Sequence, residues 1–276
     1  MNEHQNRDFV TVQELSEGFS EFSLPQTQEL TGKKIELYYE AGHKAVYYFL
    51  DETTLVCTVE SEEGSEKVAA IYQAVSPRKD IYFIDFVWSY GATKSVTTIL
   101  DLAQGIATTA IGILPGKEEV LVSQFERGDK GLPLTSVTVD FEHASVDVPF
   151  TPDTLKHART ADLVGKRMQW VYSANDAYEH IYLNENFYTW QCLKGIEKGL
   201  CDTDKCHYFK LDDNLYWFIW QERIVPTIGS VMEDFNAMRS YGKIYGYETY
   251  EMTKVTNFPV GSFATLLNET TYTFNK

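Results

Sequence analysis

Short runs of alternating apolar and polar residues, broken by Gly, Asn and Asp, recur along the whole chain. In the first half this pattern predicts strands near 33–39, 45–50, 54–60, 68–75, 80–87, 94–101 and 105–114. In the second half it predicts strands near 166–172, 178–183, 187–193, 206–211, 214–220, 230–234 and 243–251. Regularly spaced short strands with turn residues between them indicate an antiparallel sandwich or barrel. Helical signals are few. Thr11-x-x-Glu14 forms a capping box before Leu15, with Gly18 as a stop. Thr151 followed by Pro152 predicts a short linker helix near 152–159.

The pattern occurs twice. Residues 30–57 and 163–190 align at an offset of 133, so that Leu30, Gly32, Lys33, Tyr39, Leu50 and Glu52 fall on Leu163, Gly165, Lys166, Tyr172, Leu183 and Glu185. Asp80 to Trp88 aligns with Asn214 to Glu222 at an offset of 134, and Asp101 with Asp234 at the first offset. Glu40-Ala-Gly-His43 and Ser173-Ala-Asn-Asp176 read as matching hairpin loops. A barrel of about eight strands removes exposed edges and has room for one small ligand. The expected organisation is an N-terminal arm (1–29), a first barrel (30–148), a linker helix (149–162) and a second barrel (163–276).

Composition narrows the function. A formal net charge of -16 repels phosphate backbones and anionic bilayers, so neither nucleic acid nor membrane is an expected partner. The segment MNEHQNRD at the start lacks the apolar core of a signal peptide, and the 4 Cys are expected as reduced thiols, which together point to the cytoplasm. The 18 Tyr and 16 Phe suit half-buried pleated walls, and a Tyr hydroxyl gives such a wall a polar tip. No nucleophile elbow, phosphate-binding Gly loop or dinucleotide fingerprint is present, and no cofactor is expected.

The strings ELYYEAG, YQAVSPRKDIYFIDF and GLCDTDKCHYFKL resemble the MoaF family, over roughly 30–115 and 161–266. The resemblance implies an all-β, lipocalin-like (calycin-like) fold in two tandem antiparallel barrels, and little about chemistry. The second half is also similar to the barrel of bacterial phenolic acid decarboxylases, which use paired Tyr, an Arg and a Glu without a cofactor. By that likeness Tyr172 and Glu222 stand where a Tyr and the Glu would be. Trp170 replaces the other Tyr, and no Arg stands near Leu200, which puts decarboxylation itself in doubt.

Each candidate has a structural alternative. Glu222 ends the apolar run Tyr216–Trp220, where it is either a half-buried acid of raised pKa or, the preferred reading, a rim carboxylate paired with Arg223. Tyr39 and Tyr172 either orient a ligand or fill one core position twice, and filling is the better account of Tyr39. Asp85 alternates out of phase with Tyr82, Ile84 and Phe86 and is expected to face solvent. Arg78 is a candidate anion holder with a solvated turn as its alternative. Cys201, Cys206 and His207 have poor zinc spacing, because adjacent Cys206 and His207 point to opposite faces of a strand; no metal is expected.

Two functional classes lead, with an interaction-only role third. The first is a binding protein holding a small aromatic or hydrophobic molecule in a barrel cavity. The second is a cofactor-independent lyase or isomerase, decarboxylase-like, using Glu222 and Tyr172 on a small aromatic substrate. Tyr39, Arg78, Trp170, Tyr216, Trp220 and His207 are the candidate ligand contacts. The second barrel is expected to hold the principal site, because Trp170, Trp190, Trp217 and Trp220 give it wide apolar walls against only Trp88 in the first half.

Overall fold

The computed structural model describes residues 9–273, so the polar segment at the start of the chain lies outside the described residues. Eight strands form the first barrel: β1 (Lys34–Tyr39), β2 (Lys44–Phe49), β3 (Thr54–Ser61), β4 (Gly64–Arg78), β5 (Ile81–Trp88), β6 (Lys94–Asp101), β7 (Ile106–Ile113) and β8 (Thr138–Val146). They run in sequence order and close where β8 meets β1, with Tyr39 opposite Ala144. After a two-residue strand β9 (Ala158–Arg159), the second barrel repeats the order with β10 (Lys166–Val171), β11 (Ala177–Tyr182), β12 (Phe187–Lys194), β13 (Cys201–Asp212), β14 (Leu215–Glu222), β15 (Thr227–Asp234), β16 (Arg239–Tyr247) and β17 (Val255–Glu269). It closes through β17 on β10, where Trp170 faces Ala264. The tandem repeat of one antiparallel barrel is therefore the architecture of the chain.

Matching turns carry the repeat. Asp80 and Asn214, equivalent at the offset of 134, both take a left-handed backbone (φ 64° and 55°) between β4 and β5 and between β13 and β14. Asn and Asp tolerate that region better than other side chains with a Cβ. The closing strand of each barrel escaped the sequence reading. In β8 the burial is irregular, and β17 carries Pro259, which supplies no amide proton to Lys243 opposite. Thr151-Pro152 starts a turn rather than a helix. Thr154 N–H donates to the Thr151 carbonyl (3.0 Å) and Thr154 Oγ1 accepts from the Thr151 amide (2.9 Å). His157 then anchors the chain through its Nδ1 contact of 2.9 Å with Thr108 Oγ1.

Contacts divide the chain into two compact units. One holds the first barrel, Leu24–Ile113 and Val139–Ala158. The other holds the second barrel, the described part of the N-terminal arm up to Ser23, and the Leu114–Thr138 segment with its short helices α2 (Lys117–Val120) and α3 (Gln124–Asp129). In this second unit Gln221 Nε2 donates to the Val137 carbonyl at 2.6 Å, and Tyr247 Oη to the Pro115 carbonyl at 3.0 Å. The arm carries α1 (Val12–Leu15), whose capping box is made as expected: Thr11 Oγ1 accepts from Glu14 N–H, and the Glu14 carboxylate accepts from Thr11 N–H.

Asp85 is buried, at 1% exposure, and accepts a 2.9 Å bond from Thr97 Oγ1. The solvent-facing expectation fails because alternation assigns a face and not its exposure, and β5, β6 and β7 are buried along both faces. Among the described residues no helix is long and apolar enough to cross a membrane.

Candidate functional site

Both barrels have a cavity at the same end, built from equivalent positions. Cross-strand pairing sets the equivalence. Leu37 faces Ala45 as Trp170 faces Tyr178, Tyr47 faces Cys57 as His180 faces Trp190, and Phe86 faces Val96 as Trp220 faces Gly229.

The first cavity has a volume of about 300 Å³. Ala45, Cys57, Phe86 and Trp88 make its apolar wall. A chain of hydroxyls links its lining tyrosines through the wall: Tyr39 Oη to Thr109 Oγ1 (2.8 Å), Thr109 to Thr98 Oγ1 (2.9 Å), and Thr98 to Tyr47 Oη (3.0 Å). Burial raises both tyrosines above their usual range and pushes the Cys57 thiol up to about 12, so these groups are neutral near pH 7. Ionisable side chains in the lining are His43, Glu66, Lys94 and Glu142. His43 stacks on Tyr39 (4.4 Å, 14°) and places Nε2 3.4 Å from Glu142. Tyr39 thus lines a cavity as well as packing in a core.

The second cavity measures about 30 Å³, room for about one water molecule. The Trp-rich wall expected to frame a larger site fills the space instead. Tyr172 and Glu222 both line it, as the strand pattern implied, but no direct hydrogen bond joins them. Glu222 takes a 2.7 Å bond from Trp220 Nε1. It does not pair with Arg223, whose guanidinium clasps Asp202 (Nη2–Oδ1 2.5 Å, Nε–Oδ2 3.2 Å). Burial first, then the Asp204 charge, lifts the Glu222 carboxyl well above the carboxylate range. Asp204 is raised too, by burial and then Asp202, and accepts from Trp190 Nε1 at 3.0 Å.

Two further polar groups in this cavity were not foreseen. Glu197, raised by burial, accepts a 3.0 Å bond from Tyr178 Oη. His180, 5% exposed, is pulled down to about 3 by burial, and its Nδ1 has no hydrogen-bond partner among the described residues. Deeper in the barrel Glu233 accepts from Tyr182 Oη at 2.5 Å and is lifted to about 8 by burial. Leu15 and Phe19 of the arm complete the lining, which no local pattern announced.

The other candidates fall elsewhere. Trp220 lines the second cavity, while Trp170 lies in the core of that barrel at 1% exposure. Tyr216 turns its hydroxyl to Asp162 Oδ2 (3.2 Å). Arg78 is half-buried at the end of β4, outside the cavity lining. His207 contacts Gln221 Oε1 through Nε2 (2.9 Å), while its neighbour Cys206 turns inward to donate to Tyr208 Oη (2.9 Å). Among the described residues no group of three or more His, Cys, Asp or Glu has metal-holding geometry.

Comparison with known proteins finds two family models, the MoaF N-terminal domain over residues 7–116 and the MoaF C-terminal domain over 157–270. A curated relative named Protein MoaF, from Klebsiella aerogenes, is 39% identical over 264 residues, covering 95% of this chain and 96% of its own. A solved structure titled as a putative beta-lactamase from Burkholderia vietnamiensis matches 40% of this chain and 100% of its own, at 13% identity and a TM-score of 0.33; that likeness carries no argument.

Proposed function

The chain belongs to the MoaF family, and from that premise we propose that it binds a small, largely apolar molecule inside the first barrel. The observation that carries this reading is the 300 Å³ cavity with its apolar wall and uncharged hydroxyl chain. That volume lies at the lower end of small-molecule sites and suits a molecule of one or two rings. The hydroxyls offer both donors and acceptors to one polar substituent, and the wall supplies the hydrophobic contribution. No cofactor is needed for such a role. The cytoplasm is its proposed compartment, on the four free thiols.

The test is titration of the full chain with indole, followed by calorimetry. One molecule per chain should bind, and Ala45→Tyr, which gives the first barrel the side chain the second carries at the equivalent position, should weaken it at least tenfold. Equal binding by the variant would remove the first barrel from the function.

A second reading, a cofactor-independent lyase or isomerase, is favoured by the second cavity. A protonated Glu222 and a neutral His180 there pair a proton donor with an acceptor, beside Tyr172 and away from bulk water. On this reading Glu222→Gln abolishes turnover of an aromatic substrate while leaving the melting temperature nearly unchanged.

A further inference from the structure

We propose that the N-terminal arm is an internal plug, and that the second barrel takes an uncharged, single-ring aromatic molecule with one hydrogen-bonding substituent in the place now held by the Phe19 ring. Phe19 sits in an aromatic box. It is 3% exposed, stacks on Tyr172 (4.5 Å, 26°) and meets Tyr178 edge-on (5.6 Å, 62°). These are the geometries that an aromatic ligand adopts against aromatic walls. The ring therefore marks both a place and a chemical class.

The arm is not part of the barrel ladder. Among the described residues, polar contacts tie it down: Gln13 N–H to the Glu248 carbonyl (3.3 Å), Gly261 N–H to the Phe19 carbonyl (3.2 Å), Tyr250 Oη to the Phe9 carbonyl (2.9 Å), Arg239 Nη2 to the Phe22 carbonyl (2.6 Å) and the Val10 amide to the Glu197 carboxylate. Its helix α1 is a single turn. The turn before Phe19 rests on Gly18 at φ 93°, where an added Cβ would stand 2.8 Å from Asp176 Oδ2. Lifting the arm breaks no strand pairing of the second barrel.

What lies behind the plug is not an ordinary core. Among the described residues His180 Nδ1 finds no partner at 5% exposure, a costly arrangement for a residue that serves packing alone. Glu222 and Glu197 line the same space, with no cation among its lining residues. An uncharged ring bearing a hydroxyl would meet a protonated carboxyl as donor and the imidazole nitrogen as its partner, without bringing a charge into a dry cavity. The first barrel makes the point by contrast. Its cavity at the same end is lined by no residue of the arm and is about tenfold larger. The inference needs no turnover, so it stands whether or not the first barrel binds a ligand or Glu222 moves a proton.

The experiment uses the full chain labelled with ¹⁵N at tryptophan indoles, titrated with benzyl alcohol. Trp190 and Trp220 report the second cavity, and Trp88 reports the first. Phe19→Ala should shift the Trp190 and Trp220 signals at concentrations at least tenfold lower than wild type requires. Phe19→Leu, which keeps an apolar anchor should the alanine variant fail to fold, should give about a threefold gain. Shifts confined to Trp88, or no gain in either variant, would overturn the plug. Tighter binding of benzylammonium or benzoate than of benzyl alcohol in the same variant would overturn the uncharged class.

Discussion

The two barrels share strand order, turns and cavity position, yet one is hollow and the other is filled. The difference is written at equivalent positions. Ala45, Cys57 and Phe86 of the first barrel correspond to Tyr178, Trp190 and Trp220 of the second. Further in, Ala74, which faces Ile84, corresponds to Tyr208, which faces Phe218. A small residue opposite a large one makes room for it: Val96, opposite Phe86, becomes Gly229, opposite Trp220. A Cβ added at Gly229 would stand 2.0 Å from the Trp220 indole. Polarity changes as well. Tyr47 and Trp88 become His180 and Glu222, and Leu100 becomes Glu233. One backbone thus supports a roomy lumen and a packed lumen with buried acids. Size at a few inward positions decides volume, because the width of an eight-stranded barrel is set by its strands.

The sharpest way to break the comparison is to give the second barrel a residue of the first. Trp190→Cys should cost about 3–5 kcal/mol in a denaturant titration, from the cavity and from the lost indole bond to Asp204. A loss below about 1 kcal/mol would mean that the second barrel is loosely packed. Gly229→Ala tests the same packing from the other side. Overpacking should cost up to about 3 kcal/mol. Adding Trp220→Phe, which restores the aromatic of the first barrel, should recover much of that loss, as a double-mutant cycle would reveal.

Proton linkage separates the barrels next. Glu233 rises from 4.5 to about 8 on folding, so above pH 4.5 the unfolded chain holds fewer protons and stability falls as pH rises through 8. His180 falls from 6.5 to about 3, so its contribution has the opposite slope: stability is lost as pH drops from 6.5 towards 3. The two slopes cancel between pH 4.5 and 6.5. Between pH 6.5 and 8 Glu233 alone should remove about 2 kcal/mol, and the raised acids Glu222, Asp204 and Glu197 add to it. Urea titrations at pH 5.5, 6.5 and 8 should give a shallower decline for Glu233→Gln than for wild type. An identical decline would remove Glu233 as its source.

The smallest effect on stability belongs to Ala45→Tyr. A phenol ring added to an empty lumen should change the melting temperature by only a few degrees, under about 1 kcal/mol. A severe loss would show that the first lumen is less open than its 300 Å³ indicates.

The repeat was legible in the chain because hairpin turns and inward residues recur at fixed offsets, and local backbone chemistry reads such positions one by one. Asp80 and Asn214 needed no tertiary information to be recognised as turns. Tyr172 and Glu222 were legible as neighbours of one lumen, since alternation, continued one residue past β10 and along β14, assigns a face. Barrel closure was expected, but the strands that close each barrel were not legible: β8 and β17 lack clean alternation, and their place is set by the partners they meet.

By itself, then, the sequence determined most of the strand meander, its duplication and the inward side of the clearly alternating strands, all of which follow from backbone period and turn chemistry. Only the tertiary structure decided that Asp85 is covered, that Glu222 bonds Trp220 and not Arg223, and that Phe19 reaches the second lumen. Only it decided which barrel is hollow. A cavity is the small difference between the volume that eight strands enclose and the summed volume of the side chains they turn inward, and that difference exists only once the barrel has closed.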